Sequence, residues 1–215
     1  MLLGAPVGGQ QYVEHVLENK FAELKRLSSR LKQLNAHDAF FLLRNCFSLP
    51  KLQYTLRCSP CFNSPVIARY DECIRDTLEA VLNVQLSEHA WLQASLPVSV
   101  GGLGVRTATQ IALPAFLSSV IGSADLCLRM LPGHLQKSAG LQDVNFIAAC
   151  EQWKTLTPVA PPFDARQKCW DLPLVAATSA VLLSTAPNQA AVARLTAVSA
   201  PHAGTFLHAI PMTSV

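Results

Sequence analysis

Between Gln10 and Leu34 the apolar residues Val13, Leu17, Leu24, Leu27, Leu31 and Leu34 return at helical steps. A strand would place its apolar residues two apart, so this spacing commits the segment to a long amphipathic helix that must bury one stripe. No alternating apolar pattern long enough for a sheet appears elsewhere, and nothing repeats at a solenoid period. The expected fold class is therefore predominantly α: an irregular helical bundle followed by a second, small helical region.

Asn35 and His37-Asp38 interrupt that first pattern, and "AFFLLRNCFSL" then predicts a second helix, apolar on most faces and hence central. Pro50 and "SPCFNSP" predict a loop-rich connector. A third helix follows in "PVIARYDECIRDTLEAVLNVQL", with Ile67, Tyr70, Ile74, Leu78, Val81 and Leu82 as its stripe and Ser64-Pro65 as a cap followed by a first-turn proline. "SEHAWLQASL" reads as a short helix stopped by Pro97, and "VRTATQIALPAFLSSVIG" as a helix kinked at Pro114. Shorter helical pieces are expected around Leu126, from Val144 to Trp153, from Pro173 to Leu183, and in the Ala-rich "NQAAVARLTAV". "TPVAPP" from Thr157 marks a linker, because closely spaced prolines favour extended chain.

Half of the 215 residues are apolar and 14% are charged, a composition that can build a core and excludes general disorder. The net charge of +3 is too small to argue for nucleic acid by itself, but it is unevenly placed. Met1 to Arg75 carries ten Lys/Arg against six Asp/Glu, and the remainder seven against eight. Seven cysteines, an odd number without a secretory signal, fit a reducing intracellular compartment and predict mostly buried free thiols. The longest apolar stretch, from Leu172, contains Pro173 and is shorter than a bilayer span requires, so no membrane partner is expected.

Short motifs give little chemistry. In "LPVSVGGLGVR" the glycines lack the Gly-Lys-Ser/Thr of a P-loop and the spacing of a dinucleotide fold, so a tight turn between packed helices outweighs a phosphate cradle. Cys58 and Cys61 have CxxC spacing, which supplies half of a zinc site; Cys46 and Cys73 flank them, but from apolar helices where buried thiols are ordinary. No metal and no cofactor is therefore expected, with Cys58 and Cys61 the sole metal candidates. The six histidines form no HExxH, no GxSxG occurs, and no two aspartates are adjacent. No catalytic residue is assigned. The remaining signal is the basic face of the first helix: Lys25, Arg26, Arg30 and Lys32, opposed there by Glu23 and extended along the chain by Arg44, Lys51 and Arg57. Such a face is either a solvated surface or a track for a phosphate backbone.

Four blocks in succession, "LLGAPVG", "LNAHDAFFLLRNCFSLPKLQYTLRCSPC", "WLQASLPVSVGGLGVRTA" and "ARLTAVSAPHAGTFLHAIP", together resemble the region after the palm in reverse transcriptases of LINE-like, non-LTR retroelements. The resemblance runs over nearly the whole chain, and its most specific pieces are "QASLP...GGLG.R" and "APHAG.FLHAIP". It implies a thumb-like helical domain over 1–96, a helical linker over 97–156 and a further helical segment over 157–215. A thumb grips the template-primer duplex by its backbone, so the resemblance implies RNA or RNA–DNA duplex as partner and Lys25, Arg26, Arg30, Lys32, Arg44, Lys51 and Arg57 as contacts. The paired aspartates of a polymerase palm do not occur in the chain, so what the resemblance implies is a non-catalytic portion of an RNA-directed DNA polymerase. The alternative expectation is a helical module that binds protein through an exposed apolar surface, or a relic without function.

Overall fold

The computed structural model describes residues 5, 6, 8–137 and 139–210, so parts of the "LLGAPVG" block and the last proline of "FLHAIP" lie outside the described residues. Helix α1 (Gln10–Leu31) forms where the period predicts it and buries Val13, Val16, Leu17, Phe21, Leu24, Ser28 and Leu31. Leu34, expected in the same stripe, falls beyond the helix end and is exposed, because the amides of Gln33 and Leu34 close back onto the carbonyls of Arg30 and Leu31 in a tightened last turn. Asn35 then starts α2 (Ala36–Leu42), its side-chain oxygen accepting from the Asp38 amide at 2.9 Å.

That second helix is not the central one. It passes at once into a π-helical turn over Leu43–Phe47, which shifts the register, so that Ala39 and Leu43 are fully buried while Phe40, Leu42 and Phe47 pack on the core with part of each ring or chain in solvent. Pro50 does not belong to a connector either. It sits in the first turn of α3 (Leu49–Cys58), where a missing amide costs nothing, and the loop is confined to 59–64. Helix α4 (Pro65–Leu82) starts with Ser64 accepting from the Val66 amide and ends at Asn83, whose φ of 52° reverses the chain. Tyr70 on α4 donates its hydroxyl to the carbonyls of Phe47 and Ser48, tying the π-turn exit to the bundle. Helix α5 (Glu88–Ala94) is capped by Ser87.

The centre of the molecule is α6 (Ala108–Met130), which runs unbroken through Pro114 and past Gly122, where the sequence suggests an end. Proline in a helix interior removes one hydrogen bond and crowds the preceding turn. Here Ile111 to Ser118 are all buried, and contacts with α3 and α4 hold the backbone helical across it. Beyond lie α7 (Gly133–Gln136), α8 (Val144–Leu156), capped by Asp143, then α9 (Gln167–Ser184) and α10 (Gln189–Val198). Helix α9 begins six residues before Pro173 and carries that proline inside, again against the expectation.

The helices meet in three apolar clusters. The largest joins α1, α3 and α4 to the first half of α6. The second joins Leu113, Phe116 and Leu117 of α6 to Phe146, Ala149, Cys150 and Trp153 of α8 and Trp170 of α9. In it, Trp153 Nε1 donates to the Trp170 carbonyl at 3.1 Å and the two rings meet edge to face, so α8 and α9 share a core across the proline-rich segment between them. A small third cluster holds Leu96, Val175 and Leu182. Among the described residues no strand is part of the fold. One helix, α6, is long and apolar enough to cross a membrane by length and composition, a stretch distinct from the one at Leu172, and half of its most apolar window is buried inside the bundle.

Candidate nucleic-acid interface

The glycine turn after Pro97 decides whether a phosphate could sit there. Gly101 has φ of 86°, in the left-handed region, and a Cβ on Gly102 would lie 2.0 Å from the Leu96 carbonyl oxygen. Glycine is thus required for close approach. A phosphate cradle, however, needs free amides, and these already donate within the protein: Gly101 to Val98, Gly102 to Pro97, Leu103 to Ala94 and Gly104 to Leu96, at 2.9–3.1 Å. The turn packs α5 against the start of α6.

The N-terminus of α6 is likewise occupied. Asp71 of α4, buried, accepts from the Ala108 amide at 2.6 Å and from both the amide and hydroxyl of Thr109, at 2.9 and 2.7 Å, while Thr107 caps the Gln110 amide. Burial pushes the Asp71 carboxyl up to about 6, against the opposing pull of those three hydrogen bonds. This residue went unassigned in the sequence, although a signal exists: Asp71 lies four residues after Ile67 and three before Ile74, inside the apolar stripe of α4.

The seven basic residues singled out by sequence separate into two groups. Arg44, on the π turn, donates to the Leu207 carbonyl at 2.9 Å and contacts His208 Nδ1 at 3.0 Å, and burial lowers its pKa. Lys51 pairs with Glu23 at 3.0 Å, whose carboxyl it holds below the usual range. Arg57 reaches Gln167 Oε1 at 3.4 Å, beside the 2.7 Å bond from Gln53. These three are engaged within the chain. Lys25, Arg26, Arg30 and Lys32 stand exposed on α1. Lys25 lies over the Phe21 ring at 4.4 Å; the side chains of Arg30 and Lys32 have no hydrogen-bonded or ionic partner among the described residues, and Arg26 makes no direct ion pair there, although its charge helps to hold the Glu23 carboxyl low.

Lys25 and Lys32 rim a groove of about 590 Å³ between α1 and α4, which also holds Arg69, Glu72 and Asp76. Arg69, missed by the sequence reading, stacks on Phe21 at 4.7 Å but is neutralised by a bidentate pair with Glu18, both bonds 2.9 Å. The carboxylates of Glu72 and Asp76 make the groove itself of mixed charge, which leaves the outer face of α1 as the positive surface.

The CxxC pair does not assemble. Cys61 is buried, donates toward the Thr55 carbonyl, and burial raises its thiol to about 12, whereas Cys58 is exposed. A metal ligand must be a thiolate, which that setting opposes. Cys73 contacts the Ser28 hydroxyl instead, and no group of three His, Cys, Asp or Glu side chains gathers among the described residues. All seven cysteines are free, but against expectation only Cys61 and Cys150 are fully buried, since Cys46, Cys58 and Cys127 occupy outer faces of their elements.

A second concavity of about 410 Å³ lies between α5, α6 and α9, lined largely by Leu92, Leu96, Leu113, Leu174 and Val181. At its polar edge Arg106 makes a bidentate pair with Asp171, at 2.7 and 2.8 Å, and Gln110 donates to Ser95. Its charged groups thus serve each other. No protein-family model, curated protein or solved structure matches the chain.

Proposed function

We propose that the chain is a non-catalytic thumb-and-linker portion of a non-LTR retroelement reverse transcriptase, and that it binds the backbone of an RNA or RNA–DNA duplex through the outer face of α1. The observation that carries this reading is a cluster of exposed cations without carboxylate partners. Six Lys/Arg have carboxylate partners, and of those without one among the described residues Lys25, Arg26, Arg30 and Lys32 alone gather, exposed, within eight positions of one another, whereas Arg44, Arg57, Arg129, Lys137, Lys168 and Arg194 are spread along the chain. Four such cations, three on α1 and Lys32 at its C-terminal cap, can each displace a counterion from phosphate without reading sequence.

The test is fluorescence anisotropy of the full chain with a labelled RNA–DNA hybrid across a salt series. Four backbone contacts give a log–log salt slope of roughly −3 to −4, and changing all four residues to Ala flattens it. A slope that the four-alanine variant leaves unchanged sinks the reading. A second reading, a protein-binding helical module, is favoured by the apolar side chains in solvent from the end of α6 onward, Met130, Val144, Phe163 and Phe206 foremost. Association through them is insensitive to salt and to the α1 substitutions.

A further inference from the structure

We propose that residues 199–210 form a detachable strap that withholds Arg44 from the nucleic acid and lets go when His208 takes up a proton. The inference rests on the proposed backbone binding for its purpose, but the strap itself can be measured separately.

Few contacts hold the segment. Ser199 donates its hydroxyl to the Val100 carbonyl at 3.0 Å, Gly204 lies so close to Val98 that a Cβ would come within 2.4 Å of its side chain, and Arg44 grips the Leu207 carbonyl and His208 from 163 residues away. Between those points the segment is a run of short turns closed on itself, Ala203 to Ala200, Thr205 to His202, Leu207 to Gly204 and Ala209 to Phe206, with Phe206 exposed. A segment with so little buried apolar surface opens far more readily than the bundle beneath it.

The Arg44 contact depends on protonation. Guanidinium has no acceptor, so the bond to His208 exists only while Nδ1 carries a lone pair. A protonated imidazole there would face a cation with no hydrogen bond left between them. Among the described residues no carboxylate is bonded to Arg44 or His208. From Leu172 to Ile210 the sequence contains no Asp or Glu; the turn over 97–104 has no titratable group; α10 brings Arg194 and the strap itself His202. The π turn carries Arg44 and Cys46, Lys51 on α3 is held by Glu23, and Arg106 lines the same cavity as Arg44 and Gly104. Helix α2, which also packs on the π turn, brings His37 and Asp38, whose carboxylate accepts from the Asn35 side chain. Imidazole is the side chain whose charge ordinarily changes between about pH 5 and 8. Arg44 lines a concavity with Gln53, Gly104 and Arg106, so its release adds an unpaired cation to the basic first third of the chain.

Amide hydrogen exchange over 199–210, corrected for intrinsic rates, tests the strap in the full chain at pH of about 8 and about 5.5. Protection falls about tenfold or more on acidification in the natural protein, stays in His208→Gln, whose amide oxygen accepts but does not titrate, and is lost at both values in Arg44→Met. Equal protection at both pH values, or His208→Gln losing it like the natural chain, overturns the proposal. Anisotropy with the RNA–DNA hybrid forms the second arm. Affinity that rises on acidification more in the natural chain than in His208→Gln supports the withholding of Arg44; an equal rise in both, with the strap seen to open, overturns it. No hybrid binding at any pH condemns the backbone-binding reading and with it the role given to Arg44, while the exchange data still judge the strap.

Discussion

Among the described residues, the bundle of α1 to α5 and the first half of α6 leaves three large apolar side chains in solvent, Leu34, Tyr54 and Val84, while fifteen stand exposed from Leu126 onward. The charge imbalance runs the other way, with the positive excess in the first 75 residues and near neutrality after them. One region has closed its core and displays ions; the other displays apolar surface around the small clusters centred on Trp170 and Val175. The difference teaches that the two regions offer different chemistry to partners and different resistance to unfolding. The proposed backbone binding draws on the first, and any apolar association would draw on the second.

The largest effect that can sharpen this contrast comes from Trp170→Ala. The residue is fully buried between α8 and α9, and its loss costs about 3–5 kcal/mol locally. Hydrogen exchange is expected to show α8 to α10 unprotected with α1 and α4 still protected; loss of protection in α1 as well would erase the distinction. Leu24→Ala, in the α1 stripe, costs about 2–5 kcal/mol and exposes both regions together, because α6 is common to their cores. Denaturant melts followed by circular dichroism measure that loss.

At the seam between the regions, Gly102→Ala drives a methyl into the Leu96 carbonyl and is expected to lower stability by about 1–3 kcal/mol, read as a shift in denaturant midpoint. Asp71 acts on the same seam through pH. Its folded carboxyl holds a proton to about pH 6 and its unfolded one gives it up near the ordinary 3.8. The stability it contributes is therefore fully present below about pH 4 and lost as pH rises through about 6. Asp71→Asn removes that slope, and it costs about 1–3 kcal/mol because one of the two α6 amides loses its acceptor. A variant whose stability still falls between pH 4 and 6 like the natural chain assigns the slope to another group. The smallest effect is Glu18→Gln, which breaks a half-exposed pair with Arg69 and is expected to change stability by less than about 1 kcal/mol.

Much of the helical order was legible because period and caps act locally: Ser64, Ser87 and Asn35 each cap a helix whose stripe can be read beside it. What escaped reading depends on distant packing. Pro114 and Pro173 look like breaks, yet both lie within continuous helices held by neighbours far away in sequence. The π turn at Leu43–Phe47 leaves no mark in the apolar spacing, so α2 looked central when α6 is. For the site, the α1 cations could be listed from sequence, but their separation from Arg44, Lys51 and Arg57 could not, since the partners of these three, His208, Glu23 and Gln167, are 28 to 164 positions away.

The edge-to-face pair of Trp153 and Trp170 gives the molecule an optical gauge of its own. The chain has three tryptophans, and the third, Trp91, is on α5, half-buried and packed on the larger core. Two of the three chromophores therefore report on the more open region from a dry, asymmetric setting with ring centroids 5.3 Å apart. Any event that parts α8 from α9 will red-shift the emission and collapse the near-ultraviolet dichroism before the far-ultraviolet helical signal changes, without a label being attached.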